Sequence, residues 1–519
     1  MHTSLSDTPH TGARRRLWPS GRAALLVALL AALPALITLL ILVLMRVDWA
    51  DYVPWHAGAL NDALYYWRQV YTFSGVGFDG GYYTINELPA RAAFSHFYFY
   101  GPVFPMLYGT VGRVFGWGAA GGPILNTAVV TAALLVFGIC NRDDTRRLRV
   151  AVLAVATFWP LLLFMATSMQ EGVHMGLAVV LGAGFARLLR DGEDTPRWVK
   201  AGVALLLALG GLMRISWALL YLPFFLFALP KQRAWWRPWL YAGVIFVLLG
   251  GLFTWLSSPY PGHFTSQVLR LLPAGPQAMI DLTLAQIGGN LAGLFSGTPL
   301  ELGLRAQLGA LGLAALFAIV LRPAWLGAPR EAWFHVLNLG LVLLMNVGLN
   351  DTTLWRDYRN LAPHVLLSLL VLVYFHRDWL VAAVIVSNAL LAVAFVDEAR
   401  RLWSDQFTYD TTLIQEFGAL TDSLIVYDPA ASNAWCNTVL TELLPLPRQG
   451  GFYPGLMALD PGIGVSFWYG EGLTLPLKSR WVFMTPATYE RNRARFNFER
   501  VASVEAANIY RNLDANCTS

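Results

Sequence analysis

Five ionisable residues stand close to long apolar runs: Asp62 in "ALNDALYYWRQVYTF", Glu171 in "MATSMQEGVHM", Arg214 in "GGLMRISW", and Arg356 and Arg359 in "LNDTTLWRDYRNLAPHV". A charge flanked by apolar sequence is a functional candidate by default, because lipid makes it costly to keep there. A carboxylate can take a proton from a hydroxyl, and an Arg guanidinium can fork an oxyanion while staying charged near lipid. Each residue also has a plainer reading. An acid in a polar loop can simply be solvated, and an Arg at the end of an apolar run can snorkel or anchor at the interface.

The elements that must position these residues are membrane helices. The chain has 519 residues, 56% hydrophobic and 13% charged, and a mean hydropathy of +0.50, which indicates a polytopic membrane protein. The first apolar run, Ala23 to Met45, is longer than the roughly 20 residues a span needs and too long for a cleaved signal. Arg14, Arg15, Arg16 and Arg22 precede it, so the positive-inside bias puts the N-terminus (1–22) in the cytoplasm and residue 46 onward outside. The net charge of +5 resides mostly in short turns between apolar runs; this is orientation rather than a nucleic-acid surface.

Basic turns at 140–149, 187–200, 231–237, 322–330 and 376–378 bracket paired apolar runs at 150–166 and 173–189, 200–213 and 216–230, 239–256 and 304–321, and 332–349 and 362–375, with a last run at 379–396. The stretch 97–117 is apolar, but its Gly, Pro and aromatic residues, and the charge bias of the turn after it, favour a helix in the interface plane. With a descending helix at 121–139, the expectation is a mostly α, polytopic bundle of about 11 spans over 23–396. It carries a large first outer loop at 46–120, another at 257–303, and a small α/β domain at 397–519 outside the membrane.

In that tail "DSLIVYD" and "SRWVFMTP" have strand character and "ATYERNRARF" reads as a helix. Cys436 and Cys517 share an oxidising compartment, with pairing and free thiols both open. No Cys/His metal spacing occurs. Aromatic residues crowd the first loop; an interfacial belt and sugar stacking both fit them. His174, near Glu171, reads as interfacial, and Asp79, Glu87, His263 and Asp281 take no assignment.

In layout the chain resembles the GT-C superfamily of membrane glycosyltransferases, which includes protein mannosyltransferases and the aminoarabinose transferase of lipid A. The resemblance is carried by one span followed by a large outer loop headed by "NDALYYWRQ", by "HFYFYGPVFPMLYGTVGRVFGW", by "GLMRISWALLYLP", and by the late "RDYRNLAPHVLLSLLV". It implies transfer of a sugar, with inversion, from a polyprenyl-phosphate-linked donor to an extracytoplasmic acceptor at the plasma (inner) membrane.

Such a displacement needs one base and charge stabilisation of the leaving phosphate. By this resemblance Asp62 is the base, and Glu171 a second catalytic acid that orients the acceptor or helps to hold a metal. Arg356, Arg359, Arg214, Tyr358 and His96 bind substrate. A divalent metal stays open, since some relatives use one. Where the family often pairs two acids, this chain has Asn61-Asp62. The alternatives are a transporter or flippase of a lipid-linked sugar, a glycan polymerase or ligase on the same fold, and a non-catalytic relative. Outer-loop polar residues and the absence of internal repeats weigh against the transporter.

Overall fold

The computed structural model describes residues 21–47, 49, 52, 62–80, 83–87, 97, 100–230, 234–257, 272–293, 296–297, 301–307, 309–310, 313, 329–349, 355–404, 411–431, 433–442, 457–468, 476–504 and 507–517. Ten helices run through the first half: α1 Gly21–Leu44, α2 Asp62–Val76, α3 Val103–Phe115, α4 Gly121–Cys140, α5 Thr145–Ala156, α6 Trp159–Phe164, α7 Glu171–Asp191, α8 Arg197–Met213, α9 Tyr221–Ala228 and α10 Arg237–Ser257. Helices Pro276–Ala292, Pro329–Leu349, Ala362–Tyr374, Asp378–Ser404, Thr411–Leu424 and Pro486–Asn492 follow.

Five described helices are long and apolar enough to cross a membrane: Gly21–Leu44, Gly121–Cys140, Glu171–Asp194, Arg237–Ser257 and Arg330–Gly348. Three shorter apolar helices, Ile215–Ala228, Ala362–Tyr374 and Asp378–Val393, occupy further expected spans, so the described helices do not reach the expected number of about 11. Local chemistry accounts for the shortening. Pro160 has no amide to give the preceding turn, so the expected 150–166 span breaks into α5 and α6 over Thr157 and Phe158. Arg214 takes extended backbone, φ −152°, and ends α8. Most of the expected 304–321 span lies outside the described residues.

α7 is packed on nearly all sides, against α4 and the Ala362–Tyr374 helix among others. By contrast, α10 leaves Val247, Leu248 and Trp255 exposed, as a lipid-facing helix does. α3, at 13 residues, falls short of a span. It buries Phe104, Tyr108, Gly109 and Gly112 and leaves Met106, Leu107, Val114 and Phe115 exposed.

A six-stranded sheet is built mostly from the tail: β1 Tyr83–Ile85, β2 Thr438–Glu442, β3 Gly464–Trp468, β4 Trp481–Met484, β5 Phe498–Val504 and β6 Ala507–Asn512, in the order β1-β3-β2-β4-β6-β5. The first four strands run parallel, and β6 and β5 close the sheet antiparallel. "SRWVFMTP" contains β4 as expected. "DSLIVYD" forms no strand: it finishes the Thr411–Leu424 helix and continues as irregular chain. Cys436 and Cys517 are disulfide-bonded, with Cα atoms 5.6 Å apart.

The sheet takes its edge strand from outside 397–519, since β1 belongs to the first loop. α2 completes the union. Its Ala63, Tyr66 and Val70 join the core of the helical bundle, while Leu64, Tyr65 and Trp67 join Val439, Val465, Phe467 and Phe483 in the sheet's core. Burying three such side chains stabilises the contact by on the order of 5 kcal/mol. Buried Arg68 donates to the carbonyls of Leu459, Asp460 and Ile463 at 2.7, 2.5 and 2.8 Å. Burial pushes its guanidinium down to about 10, partly offset by Tyr71 and Asp460. Glu87 accepts from the amides of Lys478 and Ser479 at 2.8 and 2.7 Å. α2 ends where Gly77 adopts φ +63°, the left-handed conformation that glycine enters without a Cβ penalty.

Candidate functional site

Asp62 is the first residue of α2 and Glu171 the first of α7, so each carboxylate lies at the positive end of a helix dipole. Each is paired with an arginine far away in sequence. Arg359 Nη1 donates to Asp62 Oδ2 at 3.0 Å across 297 residues. Arg214 Nη2 donates to Glu171 Oε1 at 2.8 Å. The two pairs are joined, because Arg214 Nη1 donates to the backbone carbonyl of Arg359 at 3.1 Å.

The two pairs differ in burial. The Asp62 and Arg359 side chains are 17% and 22% exposed, against 0% for Glu171 and 12% for Arg214. The first pair is therefore the more accessible of the two, and the second is the more deeply buried.

Two tyrosines complete the mouth. Tyr100 donates to Asp62 Oδ2 at 2.9 Å, and the Tyr66 and Tyr100 rings pack with centroids 4.9 Å apart. Burial raises both phenols above the ordinary range, and the Asp62 charge adds to it, so both stay neutral donors. Burial opposes the Arg359 charge, yet Asp62, Tyr100, Glu171 and Tyr66 together hold its guanidinium well above its ordinary value. Arg359 is thus a permanent cation. Among the described residues, Asp62 Oδ1 accepts no hydrogen bond and only Nη1 of the Arg359 guanidinium donates one. A carboxylate oxygen and guanidinium N–H groups therefore remain for a ligand.

A polar scaffold lies behind the pairs. Trp217 Nε1 donates to His174 Nδ1 at 3.1 Å, and the Trp217 ring packs against His364 with centroids 4.4 Å apart. His364 contacts Ser216 Oγ through Nε2 at 3.1 Å and Asn338 Oδ1 through Nδ1 at 2.9 Å. Since Oδ1 can only accept, Nδ1 carries the proton and Ser216 donates to Nε2. His364 thereby ties the segment bearing Arg214 to the one bearing Arg359.

The structure brings Asp62, Glu171, Arg214 and Arg359 together. Tyr358 lies elsewhere: it is buried, its ring stacks on Trp159 at 5.6 Å, and its hydroxyl reaches Gln307 at 3.5 Å. The Arg356 side chain, His96 and His263 fall outside what is described. Glu171 is a fully buried helix residue instead of a solvated loop acid, and His174 is fully buried instead of interfacial, because α7 is enclosed by its neighbours. Sequence reasoning passed over Ser216, Trp217, Asn338 and His364. Asn338 and His364 carried a usable signal, being polar residues inside apolar runs. Among the described residues no group of three or more His, Cys, Asp and Glu side chains could hold a metal ion. Compared with known proteins, the chain matches no family model, no curated protein and no solved structure.

Proposed function

We propose that the chain is an integral-membrane, inverting glycosyltransferase that moves a sugar from a polyprenyl-phosphate-linked donor to an acceptor outside the cytoplasm. The observation that carries this reading is the Asp62–Arg359 contact at 3.0 Å, partly exposed and next to the membrane helices. A proton acceptor and a permanent cation side by side are what one displacement requires. The acceptor oxygen attacks the anomeric carbon as its proton passes to Asp62. The bond from that carbon to the phosphate oxygen breaks, and the polyprenyl phosphate leaves with its electron pair, its charge balanced by Arg359. Tyr100 keeps Asp62 oriented. The membrane-adjacent position suits a donor whose tail lies in lipid and whose sugar lies in water.

The test is transfer of labelled sugar from a panel of polyprenyl-phosphate sugars in proteoliposomes. Wild-type transfer that falls at least about 100-fold in folded Asp62→Asn supports the base assignment. Arg359→Lys keeps a charge but loses the fork, and should retain partial activity. Undiminished transfer by Asp62→Asn rules Asp62 out as base, and no transfer from any donor leaves the transporter and the non-catalytic relative as the standing readings.

A further inference from the structure

Behind the Asp62–Arg359 pair, two buried groups are unmatched in complementary ways. Glu171 Oε1 takes the Arg214 guanidinium, while Oε2 receives no hydrogen bond from a described residue. One turn along α7, His174 Nδ1 accepts the Trp217 indole N–H, which leaves the ring proton on Nε2. That Nε2–H in turn finds no described acceptor. Both residues have 0% exposure, and buried polar atoms of this kind almost always have partners.

Residues three apart share a helix face, so an acceptor lacking a donor and a donor lacking an acceptor stand on the same face of α7. One group that both donates and accepts would satisfy the two, and a hydroxyl is such a group. An ammonium has no lone pair to offer, and a carboxylate or phosphate dianion has no proton to give. The imidazole is also braced. Trp217 lies between His174 and His364, with centroids 6.3 and 4.4 Å away, and His364 is held by Ser216 and Asn338.

We propose that Glu171 Oε2 and His174 Nε2 form a hydroxyl-binding subsite that grips one hydroxyl of the lipid-linked sugar. The inference rests on the glycosyltransferase reading above. The donor is the favoured source because Arg214 bonds both Glu171 and the carbonyl of Arg359, so the subsite adjoins the cation assigned to the donor phosphate.

The experiment is equilibrium binding to the full-length protein in lipid nanodiscs. The probes are polyprenyl-phosphoryl glucose, mannose and galactose and, for each that binds, its 2-, 3-, 4- and 6-deoxy analogues. Loss of the gripped hydroxyl strands two buried groups, so one analogue should bind at least about 30-fold more weakly than its parent, and the others within about 5-fold. In His174→Phe the parent should fall toward that analogue and the selectivity should collapse. Wild-type binding of every deoxy analogue within about 5-fold of its parent overturns the subsite and leaves it to water, a result that does not depend on any variant folding. Binding by none of the parents removes the glycosyltransferase reading and this subsite together, an outcome distinct from binding without dependence on position.

Discussion

The difference in burial between the two ion pairs predicts a difference in coupling that a double-mutant cycle can read. Glu171 is fully buried, and Arg214 is its charge partner at 2.8 Å. Arg214→Met strands that carboxylate and should cost about 3–5 kcal/mol. Glu171→Gln is milder at about 2–3 kcal/mol, because Arg214 keeps its bond to the Arg359 carbonyl and some exposure. Removing both charges leaves neither stranded, so the double variant should be less destabilised than the sum of the singles by about 3 kcal/mol. For Asp62–Arg359, where both side chains reach solvent, the same cycle with Asp62→Asn and Arg359→Met should give about 1 kcal/mol. The assay is reversible unfolding in mixed micelles titrated with SDS, followed by tryptophan fluorescence. Equal coupling in the two cycles, or additivity at Glu171–Arg214, would refute the claim that burial sets the strength of these pairs.

Three further outcomes follow from particular contacts. A Cβ at Gly172 would lie 2.3 Å from Asn126 Cγ, and buried Asn126 is fixed by Tyr108 and the carbonyls of Thr167 and Met169; Gly172→Ala should therefore cost about 2–3 kcal/mol, seen as a lowered Tm. The Cys436–Cys517 bond spans 81 residues, so replacing both with Ser should destabilise the tail by about 2–4 kcal/mol and speed its proteolysis, while unchanged proteolysis would count against a supporting role for the bond. Burial raises the Asp144 carboxyl, but the Arg147 amide and guanidinium and His376 outweigh it and hold the group below its ordinary range. Its stabilisation is present above the unfolded carboxylate value and is lost as pH falls through the lower folded one. Exchange of the Arg147 amide, corrected for its intrinsic rate, should accelerate only in that acid range.

The helices were legible because lipid imposes a coarse rule: long apolar runs form helices, and basic turns separate them. Proline altered one length, at Pro160, while extended backbone at Arg214 ends α8 where its apolar run ends. Asp62, Glu171, Arg214 and Arg359 stood out in sequence because each interrupts apolar chain. Their pairing did not, since 297 residues separate Arg359 from Asp62 and no local pattern encodes that contact. The full burial of Glu171 and His174 depends on neighbouring helices in the same way. β1 was illegible for another reason. Three residues are too few to display a period of two, and their strand partner lies in the tail.

That last pairing sets an order of events during synthesis. β1 leaves the ribosome about 380 residues ahead of β3, which at about 5–20 residues per second means a wait of roughly 20–80 s. Until the tail has been made, the Arg68 guanidinium lacks its carbonyls, Glu87 lacks its two amides, and the sheet-facing side of α2 is bare. A chain stopped before residue 460 would hold α2 by its Ala63, Tyr66 and Val70 side alone, so the surroundings of Asp62 are completed only by the C-terminal strands.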